Sequence, residues 1–398
     1  MNFIFISPQF PHTYWNFCDR LKKLGVNVLG IGDSSYDSLD DKLKASLTEY
    51  YKVNSLASYD EVFKAVAFFS FKYGKIDALE SNNEFWLLQD AQLREDFNIK
   101  SGANVALTER YKSKSGMKKY YKKASIPVAR YYLVKNEKGA KEFINEVGYP
   151  VIAKPDIGVG ANDTYKIKND AELESFFQHK SSVPYIMEEF IYGDIYSYDA
   201  IIDASSTPLF ESMTFWPPSI MDIVNDELEL AYYVAGDVNE QLREYGRAAV
   251  KAFGVFSRFV HLEFFRLKKD KEGLGKKGDF VALEVNMRPA GGYTPDMIDY
   301  AHGVDVYQMW AEMMVYNRLI TPVKDIHNYC VYTGRRDRFN YLHSEAEIYS
   351  LYGDKIVMAE RMPGILRIAM GDQSYTAKAK TKKEAEEFIN FVLAHKEK

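Results

Sequence analysis

Between Phe3 and Glu80 the chain alternates apolar strands with helices, and that order restricts the fold more than any other feature. Phe3–Ser7 reads as a strand, Thr13–Leu24 has helical periodicity stopped by Gly25, and Val26–Ile31 is a second strand. Tyr59–Tyr73 is helical, with Phe63, Val66, Ala67 and Ser70 on one stripe, and Ile76–Glu80 is a short strand running into Ser81-Asn82-Asn83-Glu84. Parallel strands need a long crossover, which a helix supplies, so this part predicts an α/β unit with a parallel sheet. Ligands of such sheets bind beyond the carboxyl ends of the strands. Glu84 therefore lies near a cleft, where it touches substrate or caps the next helix. Gly30 and Gly32 fall short of a dinucleotide fingerprint and read as a tight turn.

A lysine-rich helix follows from about Thr108 to Ala124 and stops before Pro127. The next stretch is compact: strand Arg130–Val134, helix Glu137–Val147, strand Val151–Lys154, a glycine loop, strand Thr164–Ile167, helix Asp170–Phe177 and strand Tyr185–Phe190. After strand Ser197–Asp203 and the amphipathic helix Val238–Phe253, Phe259–Leu267 and Phe280–Asn286 form a hairpin across the Lys- and Gly-rich Lys268–Asp279. A helical stretch to about Asn317 and three more strands, near Tyr329–Thr333, Lys355–Met358 and Tyr375–Ala379, complete the chain with helices at Glu345–Leu351 and Lys382–His395.

At roughly 100–200 residues per domain, 398 residues imply several domains. Lys plus Arg number 51 against 56 for Asp plus Glu, a net charge of −5. That balance lacks the basic surplus of a nucleic-acid binder, while leaving room for a local anion site. Cys18 and Cys330 are too few for a disulfide framework or a zinc cluster and read as packing thiols. No apolar run matches a bilayer span, and the start reads as a strand, not a signal peptide. The expectation is a cytoplasmic protein without nucleic-acid or membrane partners.

Three segments carry chemistry. In the hairpin, Glu263 sits on one strand, and Glu284 and Asn286 share a face of the other because side chains alternate. Carboxylates in apolar strands are costly unless they meet something positive. Two carboxylates and an amide oxygen form a hard oxygen set suited to magnesium that also grips phosphates; salt-bridged polar groups on an exposed strand face would give the same pattern. In Val151-Ile152-Ala153-Lys154-Pro155-Asp156-Ile157-Gly158-Val159-Gly160-Ala161-Asn162, a lysine ends a buried strand before a glycine loop, an arrangement that lets backbone N–H groups approach phosphate. An ordinary hairpin turn is the other reading. In Glu188-Glu189-Phe190-Ile191-Tyr192-Gly193-Asp194, acidic residues end an apolar strand, which solvation alone would also explain.

Taken together, in this order and spacing, these elements resemble the ATP-grasp superfamily over nearly the whole chain. The specific part is the E-x-N-x-R run Glu284-Val285-Asn286-Met287-Arg288 preceded by Glu263 on the partner strand. The resemblance is to carboxylate–amine ligases, relatives of biotin carboxylase, the large subunit of carbamoyl-phosphate synthetase and purine-biosynthetic ligases. It implies an ATP-grasp fold: a Rossmann-like pre-ATP-grasp domain over residues 1–107, the lysine helix and an α+β lid over 108–186, a mixed-sheet catalytic core over 187–320, and an α+β part of that core over 321–398.

The resemblance also implies roles. Glu263, Glu284 and Asn286 match ligands of Mg2+ or Mn2+. Arg288 matches the arginine that steadies the acceptor carboxylate and the developing acyl phosphate. Lys154 and Lys114 match the lysines on the ATP phosphates, with Lys112 as a substitute for Lys114. Gly158, Gly160 and Ala161 match the loop over the phosphates, and Glu188, Glu189 and Ile191 match the strand along adenine. The position of the ribose-binding glutamate holds Ile195, so Asp194 is the substitute. The expected cofactors are ATP and Mg2+, the partners are a small-molecule carboxylate and an amine, and homodimerisation follows by analogy. A bicarbonate-activating carboxylase or carbamoyl-phosphate-type enzyme is the first alternative, and an ATP-binding regulatory subunit without turnover the second. His261 shares the face of Glu263 and reads as a structural hydrogen-bonding group; Ser219 bounds an acceptor pocket or simply packs.

Overall fold

The computed structural model describes residues 1–158, 163–216, 228–364 and 366–396. The first sheet has the order β3-β2-β1-β4, formed by β1 (Asn2–Ile6), β2 (Asn27–Gly32), β3 (Glu49–Lys52) and β4 (Ala78–Glu80), and every pairing is parallel. Helix Tyr59–Tyr73 covers one face by burying Val62, Ala65, Val66 and Phe69 against Ile4, Ile6, Leu29 and Leu79. The expected stripe is thus rotated by one residue: Phe63 lies on the exposed side, since helical spacing alone fits both registers. Strand β3 and helices Asp41–Ser46 and Leu87–Asp96 were not anticipated from periodicity.

The expected single lysine helix is two helices, Val105–Lys112 and Lys114–Lys123. Ser113 takes an extended backbone between them, and its hydroxyl accepts the Gly116 N–H at 3.0 Å, so it starts the second helix as an N-cap. The second sheet, in the order β5-β8-β6-β7, comprises β5 (Tyr131–Leu133), β6 (Val151–Pro155), β7 (Tyr165–Ile167) and β8 (Tyr185–Glu189), all antiparallel. Because β8 runs on to Glu189, the boundary expected between residues 186 and 187 falls inside a strand.

Among the described residues, eight strands form the large sheet. They are β9 (Gly193–Ile202), β10 (Pro208–Trp216), β11 (Leu230–Val234), β12 (Arg258–Leu267), β13 (Phe280–Asn286), β14 (Tyr329–Arg335), β15 (Ile356–Arg361) and β16 (Gln373–Ala379). Their order is β13-β12-β9-β10-β11-β14-β16-β15, with antiparallel pairing throughout; the parallel element is an isolated bridge from Val128 to Ala282. Helices Thr294–His302 and Val306–Tyr316 pack in a cluster that includes Trp310, Tyr232 and Phe259 and continues to Phe3 and Phe17 of the first unit. Helix Glu240–Phe253 and Tyr121 of helix Lys114–Lys123 pack on Tyr198, Leu262 and Phe264. Each fully buried aromatic or aliphatic side chain of these clusters contributes about 1.5–3 kcal/mol of transfer free energy. Gly246 permits the helix to sit on the sheet, since a Cβ there would meet the Tyr198 ring at 2.5 Å. The last three strands join the same sheet, so residues after 321 extend the core.

Candidate active site

A cavity of about 340 Å³ lies between the second sheet and the β9-β12-β13 end of the large one. Its apolar walls include Ala129, Ile152, Ile191, Trp216, Phe265 and Leu283. Its polar lining includes Lys118, Lys154, Glu188, Asp194 and Lys268. Trp216 is fixed by stacking on Tyr232 at 4.4 Å between ring centroids and by donating Nε1–H to the Ser197 hydroxyl at 3.1 Å.

The charged end is built around Glu188. Strand β8 is central in its sheet, and Glu188 pairs with Ile152 of β6 and Tyr131 of β5. Its carboxylate lies between two ammonium groups, in contact with Lys118 and 2.7 Å from Lys154. Burial opposes its charge, but Lys118 and Lys154 hold it down to about 2. Lys154 is also buried, yet Glu188 and Glu284 raise it; Lys118 is pushed down because burial outweighs the attraction of Glu188. Two ammonium groups converging on one carboxylate give this end of the cavity a pair of cations, which suits an anionic ligand.

Of the lysines expected near phosphate, Lys114 and Lys112 take other places than Lys154 does. Lys118, not Lys114 or Lys112, lines the cavity beside Lys154. Lys114 turns to Glu284 at 3.3 Å and to the Gly158 carbonyl at 3.0 Å, and Lys112 donates to the Glu84 carbonyl at 2.8 Å. Lys114, Met117, Lys118 and Tyr121 are the buried residues of their helix. That spacing was the signal in the sequence: Lys118 shares the apolar stripe one turn after Lys114. Asp156 anchors the start of this helix, accepting from the Ser115 N–H and the Ser113 hydroxyl at 2.7 Å each.

Glu189 borders the cavity as expected, with its side chain turned to neighbouring cations. Its carboxylate points to Arg130, with both oxygens accepting at 2.8 Å, and to Lys271 at 3.1 Å. That pairing leaves Glu189 to border the cavity without an unpaired carboxylate. Ile191 borders it as expected, and Asp194 does so while paired with Lys268 at 2.6 Å. Gly158 is described, but Gly160, Ala161 and Ser219 lie outside the described residues.

Glu263 and Glu284 face each other directly across β12 and β13, and Asn286 pairs with His261. A bulge after Glu263 breaks the regular register. Both glutamate side chains keep 26% of their surface exposed, so a solute can reach them. Like charges directly opposite are destabilising. His261 relieves part of this: its Nε2 lies 3.1 Å from Glu263 and its Nδ1 2.7 Å from Asp199. Burial disfavours the charged ring, but Asp199 and Glu263 raise it to about 9, so both nitrogens donate at neutral pH. The Glu263 carboxyl, although partly desolvated, is held below its ordinary value by His261, Arg288 and Lys154. Among the described residues no group of three or more His, Cys, Asp and Glu could hold a metal. The set Glu263, Glu284 and Asn286 is two carboxylates with an amide, and its paired negative charges fit a hard divalent cation.

Strand β13 ends at Asn286, so Arg288 lies beyond it and bonds the Pro289 carbonyl at 2.7 Å. Glu84 caps no helix; one carboxylate oxygen accepts the Met287 N–H at 3.2 Å, beside Arg288.

Residues 112–216 match the family described as ATP-grasp domain. That segment is similar to ATP-grasp domains, and the resemblance read from the sequence extends beyond it on both sides. An L-arginine-specific L-amino acid ligase of Bacillus subtilis is 23% identical over 284 residues, 66% of this chain and 64% of that protein's length. The fold is that of an L-amino acid ligase from Bacillus licheniformis, with a TM-score of 0.72 and 13% identity over 98% of this chain and 96% of that one. It is equally that of the biotin carboxylase domain of the Hydrogenobacter thermophilus 2-oxoglutarate carboxylase, solved with MgADP and bicarbonate. That match has a TM-score of 0.69 and 16% identity over 99% of this chain and 90% of that one. Among the described residues no helix is long and apolar enough to cross a membrane.

Proposed function

We propose that this protein is an ATP- and magnesium-dependent, ADP-forming ligase that activates a carboxylate as an acyl phosphate and joins it to an amine. The observation carrying this reading is the adjacency of two features. The Lys118–Glu188–Lys154 cluster lines a partly apolar cavity, and Lys154 is attracted in addition to Glu263 and Glu284. Relatives named as amino acid ligases support the carboxylate–amine class.

In this reading the apolar walls take the base of the nucleotide, and Lys118 and Lys154 hold its phosphates. The metal, when bound by Glu263, Glu284 and Asn286, supplies charge neutralisation on the phosphates. His261 fixes the Glu263 carboxylate by donating to it. Arg288 binds the acceptor carboxylate, orients one of its oxygens toward the terminal phosphorus, and stabilises the charge that develops. The carboxylate oxygen bonds to phosphorus as the bond to ADP breaks; the amine then attacks the acyl carbon and phosphate leaves. Phosphate therefore carries away one oxygen of the acid.

The test is an acid labelled with heavy oxygen, offered with ATP and candidate amines. Label in inorganic phosphate, with ADP as coproduct, is the expected result. AMP and pyrophosphate would mean adenylation and would overturn the acyl-phosphate step. Phosphate release driven by bicarbonate without an organic acid would replace this reading with the carboxylase one.

A further inference from the structure

The backbone of Met287 lies between Asn286 and Arg288, and its N–H and carbonyl are gripped by groups outside its own strand. On one side its N–H donates to Glu84 at 3.2 Å, across 203 positions of sequence. On the other its carbonyl accepts from Arg258 Nε at 3.0 Å, and Arg258 in turn donates Nη2 to Glu80 at 2.8 Å. Glu80 ends β4 and Glu84 lies four residues further on, so both carboxylates come from one loop of the first sheet. That loop is itself held. Glu80 accepts from the Ser81 and Asn82 N–H groups at 3.1 and 3.2 Å, and Lys112 grips the Glu84 carbonyl at 2.8 Å and lies 3.7 Å from its carboxylate. Glu80, Glu84 and Arg258 are all buried, as is Met287.

A strand that has left its sheet has no ladder to fix it. Here β13 stops at Asn286, and the described backbone of Met287 is fixed by these side chains instead. We propose that Glu84 is a positioning residue: by holding the Met287 amide against the first sheet, it sets the placement of Asn286 and Arg288 in the reaction site. The consequence for turnover rests on the function proposed above, while the clamp itself does not. The chemistry needs the amide's acceptor, not a free negative charge at substrate. Glutamine, which keeps an oxygen acceptor, should therefore serve where alanine fails.

Two measurements separate the clamp from the function. Hydrogen–deuterium exchange resolved at Met287, in the full chain without ligands, should be at least tenfold faster in Glu84→Ala than in wild type, and near wild type in Glu84→Gln. Unchanged protection in Glu84→Ala overturns the clamp. Acceptor-dependent ADP release should lose at least tenfold in kcat in Glu84→Ala, with the KM for ATP within twofold, because a displacement of about 1 Å at a reacting group costs on the order of 100-fold. Glu84→Gln should restore most of it. A glutamine variant as slow as alanine would mean that the charge acts directly and would overturn positioning. Should Glu84→Ala fail to fold, Glu84→Asp, one methylene short of the amide, replaces it with the same expected outcomes. If wild type ligates no carboxylate to any amine, the functional reading fails while the exchange result still decides the clamp.

Discussion

Replacing Glu188 by Gln removes the carboxylate between Lys118 and Lys154 and leaves two largely buried ammonium groups facing each other. Glu188 is 5% exposed and Lys118 3%, so water does little to screen the repulsion. Breaking a buried ion pair by deleting one partner costs about 3–5 kcal/mol. At roughly 2.1 cal/mol/K per residue of unfolding entropy, 398 residues give about 0.8 kcal/mol/K. The melting temperature should therefore fall by about 4–6 °C at pH 7. Lys118 is already pushed down by burial, and losing Glu188 pushes it down further. It sheds its proton earlier as pH rises, so the deficit relative to wild type should shrink between pH 7 and pH 10. In wild type the sign at the carboxylate is opposite. A folded value of about 2 lies below its ordinary 4.5, so its stabilisation is complete above about pH 4.5 and is lost as pH falls toward 2. A non-hydrolysable ATP analogue should raise the melting temperature of the variant more than that of wild type, because its phosphates replace the missing charge. Scanning calorimetry at several pH values, with and without the analogue, measures all of this. A variant that melts within 1 °C of wild type at pH 7, or whose deficit is independent of pH, would refute the argument that these charges are desolvated and coupled.

Glu284→Ala and Glu263→Ala should each abolish magnesium-dependent turnover while leaving the melting temperature near wild type, since both side chains are partly exposed and face a like charge; retained activity at low magnesium would make the hairpin structural. Lys154→Ala should weaken a non-hydrolysable ATP analogue at least tenfold, and Arg288→Ala less than threefold, by calorimetric titration; equal losses would undo the assignment of one to the nucleotide and the other to the acceptor. Gly246→Ala should cost about 1–3 kcal/mol of stability, because its Cβ would press into the Tyr198 ring, while nucleotide affinity stays constant.

Glu284, Asn286 and the hairpin that carries them were legible in the sequence because they need only a local rule: a period of two in an apolar strand bounded by a charged turn. Lys154, at the end of a strand before a glycine loop, was legible for the same reason. Helix Glu137–Val147 was also read to its observed ends, since Asn136 before it and Gly148 after it are local stop signals. Where the tertiary structure decided, the deciding contact lay far away in sequence. Lys112, Lys114 and Lys118 lie on neighbouring turns, and which of them reaches the cavity depends on the break at Ser113 and on packing against the large sheet. The Glu189 carboxylate is taken up by Arg130 and Lys271, 59 and 82 positions away. Glu263 meets Glu284 because the bulge sets their register, and Glu84 meets Met287 because the first sheet packs beside the end of β13. Periodicity fixes which face of an element a side chain occupies; only packing fixes what that face meets, and the partners at this site come from three different sheets.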